Sequence, residues 1–133
     1  MPACSVLVSP WTDMAATGNT MNTLAGVDPI IQKESLLEFA KSYLKGADPF
    51  TPSASPLYAK YHSLPPILIQ VGSCETLLDD SRRVSARLRR AGIEIELEVW
   101  DDMIHVWHLF AHLLNEGEEA IQRIGDFVRK QVN

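Results

Sequence analysis

Cysteine is scarce: Cys4 and Cys74 are the only two in 133 residues. Two thiols make no disulfide framework, so the fold must rest on its core, and reduced cysteines fit a cytoplasmic protein. Cations are also in deficit, with 12 Lys and Arg against 17 Asp and Glu and a net charge of −5. That balance argues against non-specific nucleic-acid binding, which needs clustered cations to neutralise phosphates. It argues equally against docking on an anionic membrane. No apolar run approaches the ~20 residues that span a bilayer. The N-terminus shows no basic region followed by an apolar stretch, as a secretory leader would. Internal repeats and low-complexity tracts are missing too. What is present is apolar side chain: 46% of residues are hydrophobic, enough for a packed core and too many for a disordered chain.

The chain reads as alternating strands and helices around a long irregular excursion, all within one domain spanning 1–133. Cys4 to Ser9 favours a strand that stops at Pro10. Residues 12–58 form the excursion, a loop rich in Thr, Asn and Gly followed by a helix. Asp28 suits the N-cap of that helix, Pro29 its first turn, and Gly46 its end. A Pro- and Ser-rich connection then leads to Ile67-Leu68-Ile69-Gln70-Val71, a nearly all-apolar strand of the kind buried in parallel sheets. Leu78 to Ala91 has helical spacing, and Gly92 closes it. Ile93, Ile95, Leu97 and Val99 alternate with glutamates, a strand period. Trp107 to Leu114 and Glu118 to Val132 read as two further helices. Residues 67–133 therefore hold a right-handed βαβ unit and C-terminal helices, and the fold class is α/β with a parallel sheet.

Ligands of such sheets meet the loops at the carboxyl ends of strands. The loop after Val71 offers Ser73, Cys74, Glu75, Asp79 and Asp80; the loop after Trp100 offers Asp101, Asp102 and His105. Adjacent strands lie about 5 Å apart, so a carboxylate of one loop can reach an imidazole of the other. That pair is half of an acid–His–nucleophile relay.

Four segments resemble the hormone-sensitive-lipase-like (family IV) carboxylesterases of the α/β-hydrolase fold. Ser9-Pro10-Trp11-Thr12-Asp13 is similar to the segment after their sixth strand, and Asp48 to Leu57 to their DPxxPxxSPL segment. Leu64 to Gly72 resembles the strand leading to the triad acid, and Asp101 to Trp107 the loop bearing the triad histidine. The resemblance covers nearly the whole chain, in the family's order. It implies that His105 is the histidine and Glu75 the acid, with Asp79 as the alternative. It places Trp11 and Met14 near the substrate pocket, implies a small carboxylic ester as substrate, and calls for no metal or organic cofactor. The family's GxSxG elbow and HGGG-type loop, both upstream of the sixth strand, do not occur in this sequence. The expectation is a partial α/β-hydrolase sheet without the nucleophile-bearing N-terminal half, inactive or nearly so alone.

Two other readings stand beside this one. A truncated sheet exposes a first-strand edge that invites an N-terminal half, and the Ile93–Trp100 edge suits antiparallel pairing with a second copy. The chain could then be a non-catalytic oligomerising remnant. His105, His108 and His112 at i, i+3 and i+7 would share a helical face, a spacing that metal sites use. Apolar neighbours make that face a packing face first. Cys74 beside Glu75 is disfavoured as a reactive thiol, because a carboxylate raises thiol basicity. The arginines between Arg82 and Arg90 read as a solvated helix face.

Overall fold

The computed structural model describes residues 1–132. Three parallel strands lie in the order β1 (Ser5–Val8), β2 (Ile67–Gly72), β3 (Ile95–Trp100). Val6 pairs with Leu68 on one side, and Leu68 with Glu96 on the other. Every residue of the central β2 is buried, while those of β1 and β3 are only partly covered or exposed. The nearly all-apolar run of β2 follows from that position, because helices cover both of its faces.

Four helices complete the order: α1 (Thr20–Thr23), α2 (Lys33–Leu44), α3 (Leu78–Arg90) and α4 (Asn115–Val132). Short 3₁₀ turns form at Pro56–Tyr58 and Trp107–Phe110. Alternation along β2 sends Ile67 and Ile69 to one face, where they join Leu57, Val84, Leu88 and Ile93 under α3. Gln70 points to the opposite face, where its amide reaches the Ala120 carbonyl of α4 at 3.1 Å. A second core of Ala16, Met21, Leu36 and Leu77 anchors the excursion.

Asp28 does not cap α2, whose N-cap is Gln32. Its Oδ1 accepts the Ile30 and Ile31 N–H groups, while Oδ2 accepts Thr76 N–H at 2.8 Å. The carboxylate thus ties the excursion to the turn after β2, and the helix starts one turn later. Thr20, expected in a loop, opens α1 because its hydroxyl donates to the Thr76 carbonyl and accepts Asp79 N–H. The segment after Trp107 is not a continuous helix. Val106 at φ +51° turns the chain into the 3₁₀ turn, and α4 then starts at Asn115, earlier than its apolar spacing indicates.

Candidate active site

The turn after β2 and the loop after β3 are stitched together. Ser73 N–H donates to Trp100 O at 2.8 Å, Cys74 N–H to Met103 O at 3.1 Å, and Asp102 N–H to Ser73 Oγ at 2.8 Å. Gly72 permits this: a Cβ there would stand 2.0 Å from the Met103 carbonyl oxygen. The close approach places the loop that carries His105 directly over the end of β2.

Glu75 lies in that turn, fully buried. Its Oε1 accepts Gly72 N–H at 2.6 Å and Ser9 Oγ–H at 2.7 Å. Its Oε2 lies 3.1 Å from His105 Nδ1. A carboxylate only accepts, so His105 Nδ1 carries a proton and is the donor in this contact. The His105 side chain is one-fifth exposed while Glu75 is sealed. This is the geometry of an acid that orients a general base and stabilises its imidazolium.

Asp79 is engaged elsewhere. It accepts Thr20 N–H at 3.1 Å and sits 3.8 Å from Arg82, on the first turn of α3. Asp80 is buried and holds the start of the excursion, accepting Thr12 N–H at 2.7 Å and Asp13 N–H at 3.0 Å. Burial pushes its carboxyl up to about 6; the Thr12 N–H opposes this and the Asp13 charge adds to it. Asp13 itself is desolvated, yet hydrogen bonds from Thr17, Tyr58 and Ala15 outweigh that and hold it below its ordinary range.

Trp11 packs against the second core and donates its indole N–H to Asp13 O at 2.8 Å. Met14 N–H donates to Ser55 Oγ at 2.8 Å. Neither is hydrogen-bonded to the Glu75–His105 pair.

The three histidines do not share a ligand face. His105 faces Glu75, His108 Nε2 lies 2.7 Å from Gln70 Oε1, and His112 is exposed. Among the described residues, no three His, Cys, Asp or Glu side chains converge as a metal ion requires. Gln70 spends its amide protons on Glu98 and Ala120 O, so its oxygen must accept from His108. Burial shifts His108 below its ordinary range, with the Glu75 charge opposing. Cys4 and Cys74 are both unpaired.

Ser9, Gly72 and Val106 are the residues that sequence reasoning left without a role. Gly72 had a local signal, a glycine closing an apolar strand before an acidic turn. Ser9 and Val106 had none, since their partners lie 66 and 97 positions from Ser9.

A parallel sheet sheathed in helices, with a carboxylate–imidazole pair at the carboxyl ends of adjacent strands, is an α/β arrangement whose polar pair lies where such sheets meet their ligands. The sequence pattern of the alpha/beta hydrolase fold matches residues 1–109, and the chain belongs to that family. It is 40% identical over 129 residues to an acetyl-hydrolase of Streptomyces hygroscopicus, covering 97% of this chain and 43% of that protein. It is 31% identical to an esterase of Acinetobacter venetianus, covering 96% and 42%. The crystal structure of an esterase from the bacterial hormone-sensitive lipase family superposes with a TM-score of 0.98 at 53% identity, covering 100% of this chain and 45% of that one. The chain thus spans less than half the length of these relatives, and its sheet is a partial α/β-hydrolase sheet. No helix among the described residues is long and apolar enough to cross a membrane.

Proposed function

We propose that this chain supplies the acid and the histidine of a Ser–His–acid triad in a carboxylic ester hydrolase, with Glu75 as the acid and His105 as the base. The observation that carries the reading is the contact of 3.1 Å between Glu75 Oε2 and His105 Nδ1, made by a fully buried carboxylate whose other oxygen is already saturated. A serine from an N-terminal half attacks the ester carbonyl, and His105 Nε2 takes its proton. The alcohol leaves with that proton, and His105 then activates water against the acyl-enzyme. Glu75 fixes the tautomer and balances the imidazolium charge. Backbone N–H groups of the other half hold the oxyanion. Similarity to an acetyl-hydrolase and to esterases supports short- to medium-chain esters as substrates. Trp11 and Met14 border the acyl site in this reading.

The N-terminal half joins at the open edge of β1. That edge has no strand neighbour among the described residues, and an apolar cavity of 290 Å³ lined by Leu7, Leu64, Ile67 and Leu88 lies beside it. The free edge of β3 suits a second copy, with Val99 38% exposed. Unpaired thiols support a cytoplasmic setting.

Hydrolysis of p-nitrophenyl acetate tests the proposal, using the chain alone and a chimera. The chimera carries, ahead of Met1, the N-terminal portion of the 53%-identical hormone-sensitive-lipase-family esterase. The expected result is background rate for the chain and turnover for the chimera. Efficient turnover by the chain alone, or a folded but inert chimera, would overturn it.

A further inference from the structure

Glu75 and His105 come from different loops, and one hydroxyl joins them. Ser9 ends β1, is 3% exposed, and stands at φ +46°. Its backbone N–H is fixed on Gln70 O at 2.8 Å. Its Oγ lies 2.7 Å from Glu75 Oε1 and 3.1 Å from Val106 N. A hydroxyl has one proton, and a carboxylate can only accept. The polarity is therefore fixed: Val106 N–H donates to Ser9 Oγ, and Ser9 O–H donates to Glu75 Oε1.

Val106 immediately follows His105 and stands at φ +51°, a conformation that costs a β-branched residue dearly and persists only where its surroundings impose it. The Ser9 oxygen receives its N–H in that conformation. One side chain thus holds the acid in rotation and the histidine loop in position. The acid cannot turn without breaking a buried, charge-assisted bond, and the loop cannot move without breaking the Val106 N–H bond to the Ser9 oxygen.

We infer that Ser9 is a positioning residue of the triad, locking the Glu75 carboxylate and the His105 loop into one rigid unit. The inference rests on the esterase reading for its consequence in turnover, but its geometric content can be tested without turnover.

Two substitutions separate the hydroxyl from the backbone. Glycine tolerates φ +46° better than serine does, whereas alanine does not, and both lack the hydroxyl. In the chimera, Ser9→Gly and Ser9→Ala should both lower kcat by about tenfold to a hundredfold, the range for one lost hydrogen bond to a charged group. KM should stay unchanged, and Ser9→Gly should melt no lower than Ser9→Ala. In the 133-residue chain, the downfield Nδ1 proton signal of His105 should be present in wild type and lost in Ser9→Gly, Ser9→Ala and Glu75→Gln. Wild-type kcat and an intact proton signal in Ser9→Gly would overturn the inference, as would losses that simply track melting temperature. If Glu75→Gln and His105→Ala leave turnover untouched, the esterase reading falls instead, and the proton signal alone still decides the role of Ser9.

Discussion

Replacing Asp80 with asparagine should remove a pH-dependent destabilisation between about pH 4 and pH 6. Asp80 is completely buried; Oδ2 takes the donors from Thr12 and Asp13, and Oδ1 has no partner. Desolvation raises its carboxyl from 3.8 to about 6, so the folded chain binds this proton more tightly than the unfolded chain. Stability from this group is therefore full below pH 4 and falls as pH rises through 6. The gap corresponds to about 3 kcal/mol, fully lost by pH 7. Asparagine keeps an oxygen for Thr12 and Asp13 but cannot ionise. Its amide enters the unpartnered position, at a fixed cost of about 1–3 kcal/mol that does not vary with pH. His108 contributes in the opposite sense: lowered by burial, it costs stability as pH falls below 6.5. Asp13, held low, loses its contribution only below 3.8. Urea unfolding of wild type and Asp80→Asn at each pH from 4 to 7 gives a difference curve in which His108 cancels. That curve should move by about 3 kcal/mol in favour of the variant as pH rises. A flat difference curve would refute the reasoning.

Three other substitutions probe separate parts of the account. Gly72→Ala places a Cβ 2.0 Å from Met103 O and must displace the His105 loop; kcat of the chimera should fall about a hundredfold, and an unchanged rate would show that the loop yields freely. Leu88→Ala removes a 2%-exposed side chain between α3 and the sheet; urea unfolding should show a loss of about 2–5 kcal/mol. Lys45→Gly relieves the exposed, left-handed C-cap of α2 at φ +48°; a gain of about 0.5–1 kcal/mol is expected in the same assay.

The central strand and the βαβ unit were legible because each rests on local pattern, whereas the meeting of an acid with His105 was expected from neighbouring strand ends and from the family resemblance. Five apolar-dominated residues announce a covered parallel strand, and the glutamate alternation of 94–98 announces its neighbour. What escaped were features set by distant partners. Asp28-Pro29 carries every local sign of a helix start, yet Asp28 spends one oxygen on Thr76, 48 positions away, and the helix waits until Lys33. Trp107 to Leu114 has helical spacing, but the left-handed Val106 starts a 3₁₀ turn. Gly117, whose Cβ would stand 2.9 Å from Ala111 Cα, packs that segment back against α4. Ser9 reads as a strand end and the first residue of the resembling segment, with no sign of its side-chain partners. Its chemistry comes from the carboxylate and the amide that the sheet brings to it.

The measurement that bears most directly on the proposed triad is the rank order of kcat among three variants of the chimera on p-nitrophenyl acetate. His105→Ala should lose about 10⁴-fold or more, Glu75→Gln a comparable factor, and Asp79→Asn less than about tenfold. Asp79 is bound to Thr20 and beside Arg82, while Glu75 faces the imidazole, and the ranking follows from that difference. A severe loss in Asp79→Asn with a mild one in Glu75→Gln would move the acid to Asp79, and full activity in His105→Ala would contradict the relay altogether.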